Sequence, residues 1–412
     1  MDRKTFNEVG RSGLNQYAGR IHEEYLPELQ GRRAIQVYSE MANDATVAAI
    51  LYAIKMLCRQ VDWRVQTCAD SEQDIRCAEF VESCLYDQQS TWTDFISECL
   101  SFLTYGFSLF EIVYKRRLGK NKNPQCDSLY DDGLIGWQKL APRSQDTVWQ
   151  WLFDEHDNVY GIIQSAPPTY EQIQIPAEKL LLFRTESIKN NPEGRSILRG
   201  SYRAWYFLKR LQELEGIGVE RDLCGLPVLT APEGVDIWAP QNQNLLSMCN
   251  VFVQNIRRDA AEGLTLPAGW ELKLLSAQGT RSFDTNEIIS RYQQDIARSV
   301  LADFIFLGSS NVGSWALSSD KTALFSMAIA AYLDIICEVF NRRAIPSLIE
   351  LNSKSFGKIS GLPKLAHGDI ETQNLSELGN FLKEMAAIGL ITPDANLEEY
   401  LRSQASLPPR LE

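Results

Sequence analysis

Hydrophobic and polar positions change period several times along the chain, and its first part mixes helical and strand patterns. Asp44 is placed to cap a helix, with further helices predicted at residues 72–85 and 93–103, the last stopped by Gly106. Alternation and β-branched content predict strands at residues 61–66, 107–115, 136–140, 147–153, 159–164 and 179–183. Residues 1–30 are predicted to form a polar arm, and the part of the chain that follows them is predicted to be α+β.

The centre of the chain contains two long helical patterns, at residues 196–223 and 284–301. The first is about 40 Å long at the usual rise per residue, and its aromatic content indicates that at least one face is covered. The insert between the helices is rich in Gly and Pro and predicts a strand at 228–230, a helix at 245–256 and a strand at 270–275. A small-residue loop at 308–319 follows the second helix.

A third long helix is predicted at residues 319–343, and it is the most apolar of the three. Asp334 and Glu338 interrupt its nearly apolar run, and charges at bilayer depth are costly. We therefore interpret it as a helix buried in protein, with no membrane partner. Residues 360–368 are rich in breakers and predict a linker, followed by an amphipathic helix within 375–390 and a second one from 397.

Composition narrows the classes of function. The formal charge of -12 and the pI near 5.0 argue against a surface that grips nucleic acid by broad phosphate neutralisation. Nine cysteines without a CxxC pair indicate reduced, buried thiols in a cytosolic product. The N-terminal sequence MDRKTFNEVG has no apolar stretch of the kind that a secretion signal requires. The length of 412 residues predicts that the chain folds into two to four modules.

No strong signal for catalysis or metal binding is present in the sequence. His22, His156 and His367 are isolated from one another and from Cys, which disfavours a zinc site. No GxSxG motif occurs, although a triad that meets only in space remains open. The loop GSSNVGS has Ser314 and Trp315 where a phosphate-binding loop needs Lys. Lys321 lies too far beyond Ser314 in the sequence to take the place of that Lys. We predict no catalytic residue, no metal and no cofactor.

Charged residues allow two interpretations. Glu213 with Glu215, or Asp334 with Glu338, could form a pair of catalytic carboxylates, but such pairs are more typical of solvated faces or intersubunit ion pairs. Lys209 can pair with Glu213 one helical turn away. Cations concentrate on the first long helix and in the insert: Arg203, Lys209, Arg210 and Arg221, then Arg257 and Arg258.

Four segments in order resemble the Mu-like branch of the portal protein family of tailed bacteriophages. Residues 38–65 (YSEMANDATVAAILYAIKMLCRQVDWRV) are similar to its opening helix and Trp-containing strand, and residues 103–115 (LTYGFSLFEIVYK) to its helix-to-strand joint. Residues 175–209 contain NPEGRSILRGSYRAWYFLK, the most specific match. Residues 387–409 end in LRSQASLPP, like the C-terminal segment of the family.

The resemblance implies a mainly helical α+β portal fold with named parts. They are an N-terminal arm at 1–30, a wing at 31–195, stem helices at 196–224 and 282–305, a clip at 225–281, a tunnel loop at 306–320, a long wing helix and following segment at 321–359, and a short crown with the C-terminal tail at 360–412. Because little sequence follows Pro409, a tall crown barrel is not expected.

The resemblance also implies a non-enzymatic role in the virion. The family forms a ring, usually of twelve subunits, at one capsid vertex, assembled in the host cytoplasm, through which double-stranded DNA is packaged and ejected without sequence specificity. Terminase large subunit, major capsid or scaffold proteins and head-tail adaptors are the implied partners. Ser309, Ser310, Asn311, Ser314 and Lys321 would line the tunnel, Arg203, Lys209, Arg210 and Arg221 the stem, and Arg257 and Arg258 the clip. A Mg²⁺-dependent DNA-processing enzyme and a different ring-forming adaptor remain alternatives.

Overall fold

The computed structural model describes residues 8–224, 226–254, 265–275, 285–302, 315–370, 383, 384 and 398. Contacts divide the chain into two compact units. The first unit comprises residues 1–200 and 297–412, and the second unit comprises residues 201–296. Helices and strands are mixed in both units, which confirms the predicted α+β class.

Helices and strands alternate along the described part of the chain. The first part contains β1 (Gln16–Tyr17), β2 (Arg20–Ile21), α1 (Gly31–Ala42), α2 (Ala45–Gln60), β3 (Trp63–Gln66), α3 (Glu72–Tyr86), α4 (Trp92–Cys99), α5 (Ser101–Tyr105), β4 (Phe107–Leu118), β5 (Asp131–Arg143), β6 (Val148–Phe153), β7 (Val159–Ser165), β8 (Gln172–Pro176) and β9 (Leu180–Arg184). The rest contains α6 (Tyr202–Cys224), β10 (Leu226–Thr230), α7 (Gln243–Gln254), β11 (Glu271–Leu275), α8 (Thr285–Ser299), α9 (Trp315–Val339), α10 (Ile345–Leu351), α11 (Ser353–Phe356) and β12 (Lys364–His367).

Local signals in the sequence set several of these boundaries. Asp44 accepts hydrogen bonds from the backbone N–H groups of Thr46 and Val47, at 2.9 and 3.2 Å, and so caps α2 as predicted. Gly106 ends α5 with a φ of 95°, a conformation that side chains with a Cβ rarely adopt. The predicted helix at 93–103 is instead two helices, α4 and α5, because the chain bends at Leu100.

The core of the first unit is built around the ring of Phe340, which is fully buried. Its centroid lies 5.3 Å from Trp92, 5.6 Å from Phe95, 5.8 Å from Trp137 and 6.3 Å from Phe183. Helices α2, α3, α4 and α9 pack there against the three-stranded sheet of order β5-β4-β9. Aromatic and aliphatic burial on this scale is the dominant stabilising contribution to a fold.

A second, smaller core joins the N-terminal segment to the sheet of order β6-β7-β8. Leu14 and Ile21 are buried there together with Phe107 and Trp151, whose ring centroids are 5.4 Å apart. Glu24 also pairs with Arg199 through both carboxylate oxygens. The described part of the predicted arm, residues 8–30, is therefore packed onto the first unit.

Helix α9 continues through one π-helical turn at Phe340–Ala344 into α10. The described stretch Leu324–Leu351 is long and apolar enough to cross a membrane, with a mean hydropathy of 1.6. Its buried side chains include Phe325, Ile329 and Leu333, which belong to the first core. Only 33% of this apolar stretch is buried, and Leu324 and Met327 are exposed in the single chain, so the predicted burial of the helix is confirmed only in part.

Four predicted boundaries need correction. The first long helix begins at Tyr202, because residues 197–199 form a separate 3-10 turn capped by Ser196. The second, assigned to 282–305, ends at Ser299, since Leu301 takes a φ of 60°. Residues 315–320, assigned to the tunnel loop (306–320), already belong to α9, so the long helix starts before 321.

The strand β12 lies inside the segment predicted as a linker and as the start of the crown. It pairs antiparallel with β3, with His367 opposite Trp63, and so belongs to the first unit. The predicted crown helices fall outside the described residues, apart from 383, 384 and 398.

The cysteines largely follow the prediction of buried thiols. Cys58, Cys77, Cys84, Cys99 and Cys337 are buried and unpaired. Burial raises the pKa of the Cys58 thiol to about 12, which keeps it in the unreactive neutral form. Cys68 is exposed, contrary to that prediction.

Candidate functional site

The two long helices of the second unit lie side by side and run in opposite directions. The ring of Phe207 on α6 stacks on Tyr292 of α8, with centroids 6.2 Å apart and an interplanar angle of 22°. Two turns further along α6, Glu215 accepts a 2.7 Å hydrogen bond from the hydroxyl of Thr285 at the start of α8. Both contacts place the two predicted long helices next to each other.

Aromatic side chains form a continuous series along the first half of α6. Tyr202 contacts Trp205 and Tyr206 at centroid distances of 6.1 and 6.3 Å, and Tyr206 contacts Phe207 at 5.7 Å. Trp205 is buried, whereas Tyr206 and Phe207 are exposed in the single chain. Apolar exposure continues along the second half of the helix, at Leu214, Ile217 and Val219.

Three of the four predicted cations on α6 occupy one side of the helix. Arg203, Arg210 and Arg221 are separated by about two and then three full turns, so their backbone positions lie above one another. Lys209 is rotated away from this row by about a third of a turn. The sequence named all four, but the helix brings only the three arginines into one row.

The cations of α6 contact acidic and aromatic side chains. Arg210 forms an ion pair with Glu213, at 3.0 Å. Both partners are exposed, so the pair contributes little to stability. The guanidinium of Arg203 lies 5.8 Å from the Phe207 ring centre, and the ammonium of Lys209 lies 5.6 Å from that of Trp205. The aromatic series therefore positions two of the four cations.

The remaining predicted site residues are placed only in part. Ser309, Ser310, Asn311 and Ser314 of the tunnel loop, and Arg257 and Arg258 of the insert, lie outside the described residues. Lys321 belongs to the second turn of α9, because the helix begins at Trp315. The helix was predicted to begin too late because Ser319 and Asp320 resemble a helix cap, yet they are inside the helix.

The insert between the long helices has its own small framework. Strands β10 and β11 pair antiparallel, with Leu226 opposite Leu275. Helix α7 contains no buried residue, and Met248 and Val251 on it are 70% and 57% exposed. Trp238, in the loop before α7, is 76% exposed. Hydrophobicity alone did not reveal this exposure, since an apolar helix is usually assumed to be covered.

The carboxylates considered as catalytic pairs each engage a different partner. Glu213 contacts Arg210 and Glu215 contacts Thr285, while Asp334 lies 3.3 Å from a ring nitrogen of His367. Glu338 lies 3.8 Å from Arg342. Within the described part of the chain, no group of three or more His, Cys, Asp and Glu side chains is arranged to hold a metal ion.

Comparison with known proteins identifies the family. The model of the family described as the portal protein of Mu bacteriophage matches residues 35–404, which is most of the chain. The chain therefore belongs to the Mu-like portal protein family of tailed bacteriophages. A portal protein is the head-to-tail connector of the virus particle, and membership assigns that connector role to this chain.

Solved structures share the fold at low sequence identity. A chain from the neck of an empty gene transfer agent particle, computed with C6 symmetry, matches with a TM-score of 0.55 and 11% identity, covering 97% of each chain. A chain from the neck of the native particle, computed with C12 symmetry, matches with a TM-score of 0.52 and 11% identity, covering 95% of this chain and 97% of the other. A chain of the native virion matches with a TM-score of 0.52 and 10% identity, covering 91% and 94%.

Proposed function

We propose that copies of this chain assemble as a closed ring of twelve subunits at one capsid vertex, and that double-stranded DNA passes through the ring during packaging and ejection. The observation that carries the proposal is the antiparallel pair α6–α8, which has a row of arginines on one side and exposed apolar side chains along its length. The C12 symmetry used for the neck of a structurally similar particle supports the subunit number.

The parts of the portal take boundaries adjusted to the helices that the structure describes. We propose that α6 and α8 are the stem, that residues 225–281 form the clip and that the first unit forms the wing. The tunnel loop then shortens to the residues before Trp315, with Ser309, Ser310, Asn311 and Ser314 as its polar members. The crown begins beyond β12.

Ring geometry gives each cation of the stem a larger effect than it has in one chain. In a ring of identical subunits, every residue becomes a circle of identical residues. Arg203, Arg210 and Arg221 would form three belts of positive charge at different heights. Because the subunit is otherwise strongly acidic, most of the lining would repel phosphates, and DNA would slide instead of binding tightly.

We further propose that the terminase large subunit docks on the clip, through Arg257 and Arg258. Major capsid or scaffold proteins would surround the wing, and head-tail adaptors would complete the connector. Assembly would take place in the host cytoplasm and the mature location would be the virion. No membrane partner and no catalytic activity are part of the proposal.

Replacement of two stem arginines tests the role in DNA passage. Arg203→Glu combined with Arg210→Glu should leave ring formation intact but lower the amount of nuclease-protected DNA per particle by at least about tenfold, since two belts would change from attraction to repulsion. Arg76→Glu combined with Arg116→Glu makes the same charge change at exposed positions of the first unit. Equal DNA content in both double variants would contradict the proposal.

A cleavage assay separates the proposal from the enzymatic alternative. Purified protein is incubated with duplex DNA and Mg²⁺, alongside the variants Glu213→Ala, Asp334→Ala and Glu338→Ala. The proposal expects no cleavage by any of these proteins. Mg²⁺-dependent cleavage that disappears in one of the variants would favour a DNA-processing enzyme.

A further inference from the structure

A concave cleft of about 570 Å³ lies entirely within the first unit. Its walls come from the turn between β1 and β2, the beginning of α1, and strand β6. Its lining includes three arginines, Arg20, Arg32 and Arg33, together with the indole of Trp149 and one carboxyl, that of Glu193. None of them belongs to the proposed stem, clip or tunnel loop.

Two guanidinium groups of the cleft are held against one indole ring. The guanidinium carbon of Arg20 lies 4.9 Å from the ring centre of Trp149, and that of Arg32 lies 5.0 Å from it. Such stacking on an aromatic face leaves the N–H groups at the edge of the guanidinium available to an acceptor. Trp149 therefore orients both arginines without consuming their hydrogen-bonding capacity.

The arginines of the cleft are exposed and carry uncompensated charge. Among the residues that the structure describes, no carboxylate oxygen lies within 4.0 Å of Arg20, Arg32 or Arg33. By contrast, Arg199 and Lys189 in the same unit are both paired with glutamates. A concentration of unpaired cations is unexpected in a chain with a formal charge of -12.

Helix stability does not account for these positions. Arg32 and Arg33 are the second and third residues of α1, where the helix dipole disfavours positive charge. The first turn contains no acidic residue, and the side chain of Gln30 makes no capping hydrogen bond. The cost of placing two cations here is consistent with selection for an external partner that carries negative charge.

The shape of the cleft favours an extended peptide over a duplex. Strand β6 is an edge strand of its sheet, and edge strands accept extended segments in several modes of peptide recognition. The turn between β1 and β2 already covers part of this edge, where Trp151 donates a 2.9 Å backbone hydrogen bond to the carbonyl of Gly19 and Gly19 packs against Gln150. Duplex DNA needs a broad basic surface, which this acidic chain does not provide.

We propose that this cleft binds an extended acidic segment of a partner protein, whose carboxylates pair with Arg20, Arg32 and Arg33. Arginine and carboxylate form paired, charge-assisted hydrogen bonds, which give geometric selectivity as well as attraction. The proposal goes beyond the connector role and does not depend on ring formation, since every residue involved comes from one unit of one chain.

Fluorescence anisotropy with the full-length protein tests the proposal. The probe is a short labelled peptide in which glutamate alternates with valine, and the matched probe carries glutamine in place of glutamate. Arg20→Gln combined with Arg32→Gln should weaken binding of the glutamate peptide by about tenfold. Arg76→Gln combined with Arg116→Gln removes the same charge from exposed positions outside the cleft and should leave the affinity unchanged.

Three outcomes would overturn the proposal. The first is equal affinity for the glutamate and glutamine peptides, and the second is an equal loss of affinity in both double variants. The third is tighter binding of a labelled DNA duplex that depends on the same two arginines, which would assign the cleft to nucleic acid. Thermal unfolding followed by circular dichroism confirms that each variant is folded, and Arg33→Glu provides a second variant at an independent position.

Discussion

The two units of the chain bury their apolar side chains to very different degrees. In the first unit, aromatic rings from distant parts of the sequence meet around Phe340, and the core is closed within one chain. In the second unit, the buried apolar residues of the described part are Trp205, Leu208 and Ile296, whereas Leu214, Met248 and many others are exposed. The first unit thus buries its core within one chain, and the second exposes surface that neighbouring molecules can bury.

This difference fits a connector whose subunits contact one another. Large exposed apolar areas are unusual in a monomer and typical of a surface that another protein covers. A ring of identical subunits would cover the same area on every copy. Substitutions in the second unit should therefore affect assembly, whereas substitutions in the core of the first unit should affect stability.

The largest effect is expected from a charge introduced on the exposed face of α7. Met248→Glu should abolish ring formation, because each contact in the ring would then bury an unpaired carboxylate at a cost of several kcal/mol. Sedimentation velocity measures the loss of rings. Ser247→Glu adds the same charge at the neighbouring polar position and should be tolerated better, so equal loss of rings in both variants would argue against a role for the apolar face.

Removal of the central ring of the first core should give the next largest effect. Phe340→Ala is expected to lower the free energy of unfolding by about 4 kcal/mol, because the cavity cannot be filled by its buried aromatic neighbours. Urea unfolding followed by tryptophan fluorescence measures the change. Leu214→Ala, on the exposed side of the second unit, should change it by less than about 0.5 kcal/mol. Similar losses in the two variants would contradict the comparison.

A pH-dependent effect of intermediate size is expected at Glu193. Burial raises the pKa of this carboxyl from 4.5 to about 7, although the indole N–H of Trp151, which donates to it at 3.1 Å, acts in the opposite direction. The folded state therefore favours the protonated form, and stability is lost as the pH rises from below 4.5 through about 7. Glu193→Gln removes this loss and keeps an acceptor for Trp151.

We expect Glu193→Gln to be more stable than the parent protein by about 2 kcal/mol at pH 8, with little difference at pH 4.5. Urea unfolding at both pH values measures the two differences. Glu186→Gln, at an exposed carboxylate of the same unit, is the control and should show no such dependence on pH. A Glu193→Gln advantage that is the same at both pH values would show that titration of this carboxyl does not contribute.

The smallest effect is expected at the cap of α2. Asp44→Ala removes the acceptor of two backbone N–H groups and should cost about 1 kcal/mol of stability in the first unit. Asp44→Asn keeps an acceptor and should cost less. Thermal unfolding of the three proteins measures the difference, and an Ala variant as stable as the Asn variant would contradict the capping role.

Signals that act over a few residues were predictable from the sequence. The cap at Asp44, the stop at Gly106 and the turn at residues 154–158 between β6 and β7 all depend on local chemistry. The strand β12 was missed because it is short, lies among breakers and is formed by pairing with β3, roughly three hundred residues earlier in the chain. A pattern of hydrophobicity contains no information on such a distant partner.

In the candidate site, too, the features that depend on nearby residues were predictable and those that depend on tertiary packing were not. Spacing along α6 placed Arg203, Arg210 and Arg221 on a helix, and the helix geometry then put them in one row. The pairing of Glu213 with Arg210 depends on side-chain conformations that spacing does not determine. The exposure of Met248 and Trp238 depends on which surfaces pack together, and no local pattern reports that.

Electron microscopy of the purified protein tests the central claim most directly, because it images the assembly without any assumption about individual residues. We expect face-on rings with a central hole wide enough for duplex DNA, about 20 Å or more, and loss of these rings in Met248→Glu. Single compact particles at every protein and salt concentration, with no change in Met248→Glu, would contradict it.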